Sequence, residues 1–142
     1  AANSGATLRV TPSRELLIAG LPHDAATRAL HELAGCALII EPDDPRLAIA
    51  SCAGAPACEA ASVPTRSLAQ DLASFVSPST GVALHVSGCA KGCAHPHQAL
   101  LTLVGRAGRY DLVVGGRADA MPALAGLDFN EAIVQARKML SR

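Results

Sequence analysis

The chain has 142 residues, with 12 basic and 12 acidic side chains, and half of its residues are apolar. That length suits one domain, or one domain with a smaller lobe, and the apolar share excludes a disordered chain. An aromatic share of 2% and the lack of a basic run argue against a nucleic-acid partner, and no apolar run approaches a bilayer span, which argues against a membrane.

The opening stretch Ala1-Ala2-Asn3-Ser4-Gly5-Ala6 has neither a basic nor an apolar segment and does not read as a secretory signal. The expected location is cytoplasmic, in a reducing compartment where structural disulfides are rare. Five cysteines also cannot all pair within one chain, so clustered ones favour metal or redox chemistry.

Leu8-Arg9-Val10 alternates as a strand, Pro12-Ser13 turns, and Leu16-Leu17-Ile18 makes a second strand up to Gly20. A helix is predicted over 25–34, capped by Asp24 and stopped by a left-handed Gly35, with Ala26, Leu30, Leu33 and Ala34 on one face. His31 fits the surface of that helix. Cys36 stands apart from the other cysteines and reads as a small buried hydrophobe. Ala37 to Ile40 is a short β-rich run, and the loop Pro42-Asp43-Asp44-Pro45 closes a small lobe, residues 1–43, ahead of a larger one, residues 44–142.

In the larger lobe, a strand over Leu47 to Ala50 runs into Cys52. A helix follows with Pro64 near its first turn, burying Leu68, Leu72, Phe75 and Val76 and ending at Pro78. Val82 to Val86 is the next strand and runs into Cys89. Leu100 to Val104 and Tyr110 to Val114 flank Gly105-Arg106-Ala107-Gly108 as a hairpin. The last helix starts near Asp128 or Asn130, buries Ile133, Ala136 and Leu140, and carries Arg137, Lys138 and Arg142 where cations suit the helix dipole. The fold class is α+β, with a mixed α/β second lobe.

Two cysteine pairs stand out, Cys52-x5-Cys58 and Cys89-x3-Cys93, each at the C-terminal end of a predicted strand. If the strands are sheet neighbours, four thiolates emerge at one edge, which suits a [4Fe–4S] cluster. The residues between them are small (Ala53, Gly54, Ala55, Ala57, Ala90, Gly92), so backbone N–H groups can approach the sulfurs. Zinc would also accept four thiolates, although its pairs more often sit two to four residues apart. A zinc-stabilised module without redox function therefore stays open.

These residues resemble a known family. Ser51-Cys52-Ala53-Gly54-Ala55-Pro56-Ala57-Cys58 and Ser87-Gly88-Cys89-Ala90-Lys91-Gly92-Cys93-Ala94 are similar to the cysteine signature of the sulfite and nitrite reductase haemoproteins. Leu8 to Pro12 resembles the entry strand of their ferredoxin-like lobe, Asp44 to Leu47 the approach to the first pair, and Gly108 to Gly116 the strand closing their cluster domain. Within that superfamily, Ser87 to Pro96 looks most like the precorrin-3B synthases. Where the reductases more often carry Pro-Asn-Ser or Pro-Asn-Gly, this chain has Ala90-Lys91-Gly92.

The resemblance implies a small ferredoxin-like lobe and a cluster-binding lobe, with Cys52, Cys58, Cys89 and Cys93 as cluster ligands. It implies O2- and NADH-dependent hydroxylation of precorrin-3A at C20, with lactone formation, in aerobic cobalamin biosynthesis. The runner-up is a sirohaem-dependent sulfite or nitrite reductase, and a second iron site or a sirohaem would belong to the full-length enzyme. It further implies that the chain is a C-terminal portion, inactive alone, whose partners are the N-terminal half, a tetrapyrrole substrate and an external electron-donating reductase.

Lys91, Arg109 and Arg117 are the candidate contacts to the carboxylates of such a substrate. Arg106, at the hairpin turn, reads as solvated. His95 and His97 flank Pro96 after the second pair as possible iron ligands, although ordinary loop histidines are commoner. His23 and His85 have weaker claims. Gly105 and Gly108 lie between strands rather than before a helix, so they are no dinucleotide fingerprint.

Overall fold

The computed structural model describes residues 5–12, 15–36, 38–79 and 81–141. The expectations placed on Ala1 to Ser4, Ser13, Ala37 and Arg142 lie outside the described residues. The chain divides into two compact units, Ala1–Ile40 and Glu41–Arg142.

In the first unit, β1 (Thr7–Val10) and β2 (Leu16–Ala19) pair antiparallel, with Leu8 opposite Ile18, and α1 (His23–Ala34) follows. Three expectations need correction here. Pro22 precedes α1 and no side chain caps it, because Asp24 lies inside the first turn instead of before it. Gly35 ends the helix in right-handed conformation (φ −65°), its N–H reaching the Leu33 carbonyl, so no left-handed residue is needed. Leu38 to Ile40 is not a strand.

Cys36 is exposed, against the expectation of a buried hydrophobe. The physical reason extends to the whole unit. One hairpin and one helix enclose too little volume for a core, and none of the unit's described residues is buried. Leu8, Val10, Leu16 and Leu17 are each at least half exposed.

The second unit is built on a five-stranded mixed sheet in the order β3-β4-β5-β6-β7. A 3-10 turn over Pro45–Ala48, opened by Asp44 accepting the Arg46 N–H, takes the first half of the stretch expected as strand, Leu47 and Ala48. The strand itself, β3, is Ile49–Ser51. It runs parallel to β4 (Leu84–Ser87), which runs parallel to β5 (Leu101–Arg106). The hairpin to β6 (Arg109–Val114) turns at Ala107 and Gly108, both at positive φ, as a two-residue connection requires. β7 (Leu124–Leu127) pairs antiparallel with β6 and had no sequence signal, since Ala125 and Gly126 neither alternate nor favour strands.

Two helices, α2 (Arg66–Leu72) and α3 (Phe129–Leu140), share one core with the sheet. Asp128 and Glu131 form a reciprocal capping box at the start of α3. The period-two alternation of the strands sorts their side chains. Leu84, Val86, Leu101, Leu103, Tyr110 and Leu112 pack with Leu68, Leu72, Ala132 and Ala136 in the main core. His85, Ser87, Thr102, Val104, Asp111 and Val113 take the alternate positions, and there Val104 and Val113 pack with Ala118 in a second, smaller cluster. Both faces of β4 are buried, as a parallel strand in mid-sheet demands.

Candidate functional site at the end of the parallel strands

The two cysteine pairs leave the sheet at one edge. In the β3–β4 register Ser51 lies opposite Val86, so Cys52 departs beside Ser87 and Gly88, and its N–H still bonds the Val86 carbonyl at 3.3 Å. The adjacency expected from the sequence is therefore present, and its cause is the parallel pairing.

The first cysteine loop is held by its backbone. Cys58 N–H donates to the Gly54 carbonyl at 2.9 Å, Ala55 N–H to Val63 at 2.9 Å, and Ser62 N–H to Gly88 at 3.0 Å. Thr65, buried before α2, donates its hydroxyl to the Cys52 carbonyl at 2.7 Å. Two glycines permit the closeness. Gly54 has φ +67°, and a Cβ there would stand 2.5 Å from Thr65 Oγ1. A Cβ on Gly88 would stand 2.5 Å from the Ala61 Cβ and 3.4 Å from the Gly54 Cα. Without side chains at these positions, the Gly88 N–H reaches the Cys52 Sγ at 3.2 Å.

The second pair sits in the turn after β4. Ser87 donates its hydroxyl to the Cys89 carbonyl at 2.7 Å, and His95 N–H bonds the Gly92 carbonyl at 3.1 Å. Cys52, Cys58 and Cys89 are half-buried and Cys93 is exposed; none forms a disulfide. Among the described residues, no three His, Cys, Asp or Glu side chains stand close enough together to hold a metal ion. The four cysteines thus share an edge and two interlocked loops without forming a closed ligand cage. Their chemistry fits a thiolate-held cluster, with an N–H already directed at one sulfur.

The basic candidates separate. Lys91 and Arg117 line one cavity with His95, and Arg117 pairs with Asp119 at 3.2 Å. Arg109 is not among the residues lining that cavity; its guanidinium donates to the Gly126 carbonyl at 3.1 Å and ties β6 to β7. Arg106 is not simply solvated, because its Nε meets Asp111 Oδ2 at 2.8 Å. Asp111 is nearly buried and also accepts the Gly126 N–H at 2.9 Å, so the arginine balances a carboxylate held in the sheet.

The histidines divide too. His23 and His31 are exposed on α1, whereas His85 is fully buried on β4. Its ring lies edge-on to His95 at 5.8 Å, and His95 lies edge-on to the exposed His97 at 5.7 Å. Sequence reasoning undervalued His85, for which the available signal was one polar side chain inside an apolar strand. It also missed Thr65 and Ser87, whose hydroxyls brace the two cysteine turns.

No family model matches the chain. It is 38% identical over 118 residues, 82% of its length, to the precorrin-3B synthase of a Sinorhizobium species, of which this covers 26%. It is 37% identical over 125 residues to the sulfite reductase [NADPH] hemoprotein beta-component of Xanthomonas euvesicatoria pv. vesicatoria, covering 76% of this chain and 21% of that protein. The corresponding Xanthomonas campestris pv. campestris protein is 30% identical over 142 residues, covering 90% of this chain and 25% of that protein. Over this stretch the chain is similar to these proteins, which is consistent with the sulfite/nitrite reductase superfamily. The α+β architecture with its five-stranded mixed sheet agrees with that superfamily. The chain spans about a quarter of the length of the relatives it matches. Among the described residues, no helix is long and apolar enough to cross a membrane.

Proposed function

We propose that this chain is the cluster-carrying part of an oxidoreductase that hydroxylates a tetrapyrrole, converting precorrin-3A to precorrin-3B. The observation that carries the reading is the Gly88 N–H directed at Cys52 Sγ, where two cysteine loops interlock beyond parallel strands. Identity to a precorrin-3B synthase over most of the chain supports this substrate. The Ala90-Lys91-Gly92 insert supports it too, since it differs from the segment usual in the reductases.

Cys52, Cys58, Cys89 and Cys93 would hold a [4Fe–4S] cluster, which supplies a one-electron relay when bound. The remaining residues prepare the edge. Thr65 and Ser87 fix the carbonyls of Cys52 and Cys89, and the Gly88 N–H stabilises negative charge on sulfur. The exposure of Cys93 leaves that corner open to whatever a larger assembly adds. Thiols have no mutual attraction that would close such a cage, so metal–thiolate bonding completes it. Oxygen supplies the new hydroxyl, and electrons from an external reductase take its second atom to water. The N-terminal half, the tetrapyrrole and that reductase are the partners this reading requires.

The sulfite reductase relatives favour a second reading, a sirohaem-dependent reduction of sulfite or nitrite at the same cluster. Anaerobic reconstitution with iron and sulfide tests the common core. Equal amounts of bound iron and acid-labile sulfide are expected, falling when Cys93 is replaced by Ser. Binding of zinc alone would sink both readings. A sharp tetrapyrrole absorption in the full-length enzyme, with sulfite turnover, would transfer the function to the reductases.

A further inference from the structure

Beside the second cysteine loop lies a small cavity of about 60 Å³, lined by Lys91, Gly92, His95, Arg117, Ala118 and Asp119, with Ala90 and Pro96. On this measure a void of roughly 10–15 Å³ already holds one water, so the space suits a group of a few heavy atoms. Its base is kept small, since a Cβ on the buried Gly92 (φ +63°) would stand 3.2 Å from the Ala118 Cβ. A larger cavity, of about 270 Å³, lies between Leu100, Leu101, Val114, Met139 and Leu140, and these apolar side chains offer no polar contact to orient a ligand.

The charges of the small cavity do not balance within it. Lys91 and Arg117 are basic side chains, whereas Asp119 is the single carboxylate in the lining and is already paired with Arg117. Among the described residues, Lys91 has no ion-pair partner. His95 adds a ring whose position is set, because Nε2 lies 3.2 Å from the Gln98 carbonyl and the rings of His85 and His97 meet it edge-on. A pocket of this size, with two cations and one committed carboxylate, is complementary to a compact anion.

We propose that this cavity receives one carboxylate of a polycarboxylate ligand, with Lys91 as point charge and the Arg117 guanidinium as fork, drawn partly away from Asp119. A tetrapyrrole carries such carboxylates, and only this choice of ligand rests on the function proposed above. Bound there, the carboxylate arm would anchor the macrocycle beside the Cys89–Cys93 turn. Asp119 acts as an internal competitor that limits affinity for weaker anions.

Uroporphyrin, a tetrapyrrole with carboxylate arms, is the probe, titrated against the full chain by fluorescence anisotropy at low ionic strength. Lys91→Met and Arg117→Met are each expected to weaken binding by about tenfold, or ~1.4 kcal/mol, and added salt should weaken it too. Asp119→Asn should strengthen binding several-fold, which a merely structural role for Arg117 would not produce. Arg66→Met, exposed on α2, should bind as the parent does. Circular dichroism of each variant checks folding. Uroporphyrin binding that ignores Lys91 and Arg117, or no binding at all, overturns the proposal. Binding of sulfite but not uroporphyrin, with the same dependence on both residues, also overturns the carboxylate assignment and gives the pocket to an inorganic oxyanion. The titration needs no metal, so cluster loss with intact Lys91-dependent binding defeats only the functional reading. The converse result defeats only this pocket.

Discussion

The backbone N–H of Gly88 points at the sulfur of Cys52 from 3.2 Å, across 36 positions of sequence. The contact exists because β3 and β4 are parallel and in register, and because no side chain at residue 88 holds the loop over 52–65 away. It joins the two cysteine loops before any metal is considered.

Gly88→Ala tests that closeness. The added Cβ would collide with Ala61, part of a loop fixed by backbone bonds, so one loop must shift. We expect a loss of roughly 1–3 kcal/mol of stability, the usual range for overpacking, together with reduced iron and sulfide uptake. Denaturant unfolding and iron analysis after reconstitution measure the two effects.

Cys36→Ser should leave iron and sulfide content unchanged. Cys36 is exposed and belongs to the first unit, whereas the other four cysteines belong to the second. A fall in bound iron on this substitution would add Cys36 to the ligand set. Stability should change by less than about 0.5 kcal/mol, as for other exposed substitutions.

Tyr110 should give the fold an alkaline limit. Its ring is buried against Phe129, its hydroxyl donates to the Pro64 carbonyl, and burial pushes its pKa up to about 12 from an ordinary 10. The folded state then holds the proton more tightly than the unfolded chain does. This contribution is complete below pH 10 and is lost as pH rises towards 12. Tyr110→Phe should cost about 1 kcal/mol at neutral pH and flatten the decline between pH 10 and 12. Thermal unfolding across that range is the measurement.

Asp111→Ala removes the acceptor of the Gly126 N–H and the partner of Arg106 together. A loss of roughly 1–3 kcal/mol is expected, because a nearly buried carboxylate and its bonds are replaced by a small side chain. Hydrogen exchange should show the loss first at β7, the strand that Asp111 and Arg109 tie to the sheet.

Much of the second unit was legible in advance because its signals are local. Tyr110 to Val114 alternates across a two-faced sheet, and the flanking Ala107-Gly108 turn closes the hairpin. The start of α3 was expected near Asp128 or Asn130, and Asp128 is its cap, in a capping box with Glu131 that sequence reasoning did not name. The cysteine spacings and the apolar runs before them likewise pointed to one sheet edge, because parallel strands end at the same side. The first unit misled where long-range packing sets the outcome. Cys36 looked buried by residue type, but a hairpin and one helix leave nothing to bury it under.

By itself, the sequence determined the residue types, the two cysteine spacings and the periodicities that make strands and helices. Those are properties of neighbours along the chain. Only the tertiary structure decided that Gly88 meets Cys52, that Arg109 serves β7 while Lys91 and Arg117 share a cavity, and that His85 lies beneath His95. Each of these depends on strand register and loop closure, which bring together positions that no local pattern relates.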